Sequence, residues 1–108
     1  MWNDLFYYCP MNLESTAEAY VINLRAVGLE KEDIKLTLED DVLVVESAEK
    51  PKTGKSWIRH EFEKDHINTR LLLPADTDNE NMIAKVEKGI LSITIPREAK
   101  NSKTILVE

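Results

Sequence analysis

A chain of 108 residues lies within the range of one compact domain and can build a single modest core. Its 43% hydrophobic and 31% charged residues exclude wholesale disorder and a membrane-embedded class. A formal net charge of -6, with no cluster of Lys and Arg, argues against a nucleic-acid partner, because phosphate binding draws most of its affinity from such clusters.

Met1 to Pro10 includes Asp4 and has no basic opening ahead of a long apolar run, so it lacks the features of a signal peptide. No later apolar run is long enough to span a bilayer, and a membrane partner is not expected. A lone Cys9 has no internal disulfide partner, which predicts a reducing, cytoplasmic setting. Trp2, Leu5, Phe6, Tyr7 and Tyr8 crowd apolar and aromatic area into a terminus that the core does not require, which marks them as candidate contacts to a partner.

The first strand is predicted where Tyr20, Ile22 and Leu24 alternate with Val21, Asn23 and Arg25, ahead of a turn at Val27-Gly28-Leu29. Ile34, Leu36 and Leu38 alternate with Lys35, Thr37 and Glu39, a period of two that buries one face of a strand and wets the other. Asp40-Asp41 breaks the pattern, and Val42 to Val45 is a continuous apolar run suited to a strand covered on both faces, so the two form a hairpin. From Glu46 to Ser56 the chain turns polar, with Pro51, Thr53 and Gly54, and reads as the longest internal loop.

Ile58 to Phe62 and Ile67 to Leu73 are two further candidate strands, the latter ended by Pro74, which lacks the ladder donor. Met82, Ala84 and Val86 alternate with Ile83, Lys85 and Glu87, and beyond Gly89 the set Leu91, Ile93 and Ile95 alternates with Ser92 and Thr94. Several short strands between turn signals, with no amphipathic helical window, predict an all-β antiparallel sandwich. After Pro96 the tail is mostly polar until Ile105-Leu106-Val107.

Chemical motifs are few. Thr53-Gly54-Lys55 is not a phosphate loop, because Glu49 stands where the first glycine would be needed. His60 and His66, six apart on a candidate strand, are about 20 Å from each other and cannot share a metal. Glu61, Glu63 and Asp65 read as a wet strand face. Nucleophile, base and oxyanion donors are not grouped, so neither an enzyme nor a cofactor is expected.

In order, Gly28-Leu29-Glu30-Lys31-Glu32-Asp33-Ile34, Val42-Leu43-Val44-Val45 and Leu73-Pro74 resemble the landmarks of an α-crystallin domain. Ala84 followed by Gly89-Ile90-Leu91 and the run to Pro96 resembles the signature Ala-x-x-x-x-Gly-x-Leu of the small heat-shock proteins. The resemblance implies a short N-terminal arm over 1–19, an immunoglobulin-like α-crystallin domain over 20–96, and a tail over 97–108 with an Ile-x-Val assembly motif at Ile105 and Val107. It implies a homodimer and a higher oligomer that bind non-native client proteins without ATP and hold them from aggregating.

The same resemblance places the tail-binding groove between the strand of Ile34, Leu36 and Leu38 and the strand of Met82, Ala84 and Val86. Ile105 and Val107, two apart, would point the same way into paired pockets there. Client contact falls to Trp2, Leu5, Phe6, Tyr7 and Tyr8, and the dimer interface to Trp57, Thr69 and Arg70. The loop before Trp57 resembles one that carries a strand swapped onto the partner subunit.

Val27 stands where many relatives carry proline. Thr69 stands where many carry an interface arginine, with Arg70 one residue on and therefore on the opposite strand face. A co-chaperone adaptor of the same sandwich fold, binding one folded partner, is the alternative reading.

Overall fold

A computed structural model describes residues 10–48, 54, 56–98 and 107. Its strands are β1 (Met11–Ser15), β2 (Ala19–Arg25), β3 (Ile34–Glu39), β4 (Val42–Ser47), β5 (Asn68–Leu72), β6 (Ile83–Glu87) and β7 (Ile90–Pro96). They form an antiparallel four-stranded sheet ordered β1-β2-β7-β6 and a three-stranded sheet ordered β3-β4-β5. Among the described residues there is no α-helix, only single 3-10 turns at Lys31–Asp33 and Asn79–Asn81. The all-β sandwich expected from the alternation is the fold.

Register explains how the two layers meet. Across β2 and β7, Tyr20, Ile22 and Leu24 stand opposite Ile95, Ile93 and Leu91, so these side chains share the inner face. On the outer face of the same ladder, Asn23 faces Ser92 and its Oδ1 accepts the serine hydroxyl at 2.6 Å. In the smaller sheet Leu36 pairs with Val45, and Leu38 and Leu71 both pair with Leu43. The inner faces close on one apolar cluster containing Ile22, Leu24, Leu43, Val45, Ile67, Leu91, Ile93 and Ile95. Val44 faces outward between Thr37 and Arg70 and is buried nonetheless, consistent with its continuous apolar run.

Tight turns set the registers. Asp40 and Asp41 have φ of 45° and 66°, and Lys88 and Gly89 have φ of 52° and 77°, each pair joining two strands by a two-residue loop. Left-handed pairs of this kind match the twist of the flanking strands. At Gly28 (φ 83°) a Cβ would stand 2.7 Å from Lys64 Cγ, so the long loop presses on the turn that ends β2.

Two expectations change. Met11–Ser15, read from the sequence as part of the N-terminal arm, is a strand pairing with β2 from Met11↔Leu24 to Ser15↔Tyr20. Its side chains are all exposed, so no buried alternation betrayed it. Conversely, Ile58 to Phe62 forms no strand, because among the described residues no neighbouring strand offers it a ladder.

Ile93 is fully buried between Ile22 and Ala84 in the ladder. Ile93→Ala should destabilise the domain by about 2 to 5 kcal/mol and Ile93→Val by about 0.5 to 1.5 kcal/mol, measured by urea unfolding. Equal midpoints for all three proteins would show that the core is elsewhere.

Candidate functional site

The sheet order leaves β3 and β6 as edge strands, each hydrogen-bonded on one side only. Between them opens a cleft of about 200 Å³ lined by Lys31, Ile34, Leu36, Ala84, Lys85, Val86 and Leu91. Alternation produces this lining. Ala84 and Val86 share the inner face with Ile93 and Leu91, while Ile34 and Leu36 share the opposite inner face with Ser47 and Val45. Among the described residues no further strand covers them, so core-facing side chains remain accessible at the rim. Leu38 and Met82, the other expected groove residues, are not in the cleft's lining; like Ile34, Leu36 and Val86 they pack against the core cluster.

A second apolar cleft, of about 280 Å³, lies on the other side of the sandwich between β1, β2 and β5. Leu13, Tyr20, Ile22, Leu71, Leu72 and Ile95 are among its lining residues. Leu13 and Leu72 were not singled out from the sequence, since a single exposed leucine carries no signal until the fold brings two together.

Of the remaining candidates, Thr69 is opposite Val45 and faces the interior, whereas Arg70 is opposite Val44 and faces outward. Trp57 is exposed and stacks on His60, with ring centroids 4.3 Å apart. Val107 is 95% exposed. Ile105, Trp2, Leu5, Phe6, Tyr7 and Tyr8 lie outside the described residues, as does Cys9.

Two polar nodes hold the segments that flank these surfaces. At the first, Asp65 accepts hydrogen bonds from Arg25 Nε at 3.0 Å and from the Val27 N–H at 2.8 Å, and its own N–H donates to Val27 O at 2.9 Å. A proline at position 27 has no N–H to give, so the departure to valine supplies the donor this carboxylate uses. The wet-face reading of Asp65 is thereby corrected: its side chain is largely buried against Arg25. His66 is not on a strand either; its Nδ1 lies 3.2 Å from Ser47 Oγ, which accepts the Ile67 N–H at 2.9 Å.

The second node anchors the root of the tail. Asp76 accepts the Tyr20 hydroxyl at 2.8 Å and Arg97 Nε at 2.8 Å, and Arg97 also donates to Thr16 O at 3.0 Å while its guanidinium lies 5.0 Å from the Tyr20 ring centroid. The Arg97 N–H donates to Glu18 O and the Glu98 N–H to Asp76 O. The tail therefore leaves the sandwich from a fixed point beside the β1–β2 turn. Among the described residues no group of three or more potential ligands is placed to hold a metal ion, and no helix is long and apolar enough to cross a membrane.

The model of the Hsp20/alpha crystallin family matches residues 12–108. The chain belongs to the Hsp20/alpha crystallin family. It is 31% identical over 100 residues to a 17.5 kDa class I heat shock protein of Glycine max, covering 89% of this chain and 65% of that one. A chloroplastic small heat shock protein of Pisum sativum is 37% identical over 81 residues, 73% of this chain and 34% of that one. This chain thus spans just under two thirds of the first and about a third of the second.

Among solved structures, a small heat-shock protein from Xylella fastidiosa superimposes with a TM-score of 0.78 at 21% identity, over 94% of this chain and 97% of that one. A C-terminally truncated small heat shock protein AgsA from Salmonella typhimurium gives 0.73 at 19% identity, over 94% and 97%. The two-sheet fold is thus that of an α-crystallin domain.

The tail-root node responds to pH with a definite sign. Hydrogen bonds from Tyr20 and then Arg97 hold the Asp76 carboxyl below its ordinary range. The bond to Asp76, then desolvation, pushes the Tyr20 hydroxyl up. A carboxylate depressed in the folded state stabilises above its unfolded value, and that contribution is lost as pH falls through the folded value. Asp76→Asn should lower stability at neutral pH and flatten the loss seen below about pH 4, in urea titrations at a series of pH values. Superimposable acid limbs for the two proteins would remove the role.

Proposed function

We propose that this protein is an ATP-independent holdase that binds non-native proteins, assembles through its tail, and works in a reducing compartment such as the cytoplasm. The observation that carries the reading is the open apolar cleft between β3 and β6, taken with the alternating aliphatics Ile105 and Val107 in the tail sequence. Ile34, Leu36, Ala84 and Val86 present two apolar walls, and Ile105 and Val107 of another subunit match their spacing along a strand. Filling the cleft with two aliphatic side chains is worth about 1.5 to 3 kcal/mol for each, before the cost of ordering the tail. One tail then binds weakly and many linked tails hold by avidity, so contacts open one at a time.

The dimeric unit of that assembly would use the other side of the sandwich. Among the described residues β1 pairs with β2 alone and leaves its outer edge free, while Ile58 and Phe62 are 104% and 84% exposed on a segment without a ladder. Strand addition of the Trp57 to Phe62 segment onto β1 of a second copy would cover both, with Arg70 at its border. Clients would meet the apolar residues of the N-terminal arm, Trp2, Leu5, Phe6, Tyr7 and Tyr8, and the sheet edges uncovered when subunits exchange.

Ile105→Ala with Val107→Ala should weaken each tail contact by roughly two orders of magnitude and shift the assembly toward dimers, measured by size-exclusion chromatography with light scattering. The unaltered protein should suppress heat-induced scattering of a labile client without ATP. Unchanged mass for the variant would overturn assembly through the tail. No suppression across several clients, with a one-to-one complex with a folded protein, would favour an adaptor.

A further inference from the structure

The β3/β6 cleft has two electrostatically different ends. Beyond the lining residues Leu36 and Ala84, the alternation continues at one end to Leu38 and Met82; next to them in the chain stand Glu39, Asp40 and Asp41 of the hairpin and Asp78 and Glu80 before the start of β6, with no lysine or arginine among positions 39–41 or 78–81. Ile34 and Val86 mark the other end, where the cleft widens into a polar vestibule of about 610 Å³ whose lining includes Lys31, Lys85 and Lys88 together with Glu30, Glu32 and Glu87. The lining of the apolar cleft itself includes Lys31 and Lys85 and no carboxylate. Lys85 Nζ meets Glu87 at 2.7 Å, whereas Lys31 makes no ion pair among the described residues. One end is therefore strongly acidic, and the other mixed with lysines at the rim.

The tail is dipolar in the complementary sense. Lys103 stands two residues before Ile105, and Glu108 directly follows Val107. We propose that the cleft reads the tail of a second copy in one direction, with Lys103 at the acidic Leu38/Met82 end and Glu108 at the Lys31/Lys85 end. The inference rests on the assembly reading above, since it presumes that the tail occupies this cleft.

Alternating aliphatics alone do not distinguish the two directions, because Ile105 and Val107 have similar shapes and β-strand spacing is the same either way. Charge does. In the reverse direction Glu108 would lie among five acidic side chains and Lys103 among the lysines, and a repulsive arrangement against the wrong pose is as effective for specificity as attraction in the right one. The preferred tail then runs parallel to β6 and antiparallel to β3. A fixed direction gives each tail one geometry for linking its own domain to the next, which a symmetric motif would leave ambiguous.

The experiment uses the full chain with Cys9→Ser and Thr104→Cys, the new thiol carrying a nitroxide, mixed with unmodified protein labelled at methyl groups. Only contacts between subunits then register. The proposal expects the Leu38 and Met82 methyls to broaden more strongly than those of Ile34 and Val86. Stronger broadening at Ile34 and Val86 would overturn the direction and leave the tail in the cleft. No broadening at any of the four would overturn the direction and the assembly reading together. As an independent readout, neutralising the flanks with Lys103→Gln and Glu108→Gln should speed subunit exchange about 3- to 10-fold at low ionic strength, and the two proteins should converge at 1 M salt, where the Debye length is about 3 Å. Equal exchange rates at low salt would contradict the charge reading.

Discussion

Leu91, Ile93 and Ile95 of β7 face Leu24, Ile22 and Tyr20 across one ladder, and Val86 and Ala84 face Leu91 and Ile93 across the other. Burial of this alternating face on the smaller sheet orders the molecule, and it leaves the chain with more strand edges than it can pair. A sandwich of four and three strands has four edges, whereas a barrel has none. Along β3 and β6 the edges carry core-type side chains at the rim, so the same alternation that builds the interior builds an accessible apolar cleft. Along β1 and β5 they leave a second one.

The polar nodes decide how the segments around these edges are presented. Asp65 ties the end of the long loop to Arg25 and to the peptide of Val27, and Asp76 joins Tyr20 to Arg97 at the root of the tail, where Arg97 also bonds the turn after β1. Both nodes are at least partly solvated, so their worth lies more in geometry than in stability.

Much of this was legible in the sequence, for an identifiable reason. Strands with one wet and one buried face announce themselves by period two, so β2, β3, β6 and β7 were readable from Tyr20, Ile34, Ala84 and Leu91 onward, and the Asp40-Asp41 and Gly89 turns placed the hairpins. β1 was not readable, because Met11–Ser15 buries neither face within one chain. The segment from Ile58 to Phe62 misled for the complementary reason: it has strand-like residues and no strand beside it. Ile34, Leu36, Ala84 and Val86 line the cleft between β3 and β6, and Leu38 and Met82 are not in its lining. Asp65 and Asp76 were invisible as nodes, since their partners lie 40 and 56 residues away in the chain and only the fold brings them near.

Amide hydrogen exchange along the two edge strands tests the central claim most directly. In the assembled protein, compared with the same chain diluted to its smallest unit, the amides of Ile34–Glu39 and Ile83–Glu87 that point away from β4 and β7 should gain protection, while those of β4 and β7 stay as they are. Protection gained only along β1, with β3 and β6 exchanging equally fast in both states, would contradict the account and place assembly on the other side of the sandwich.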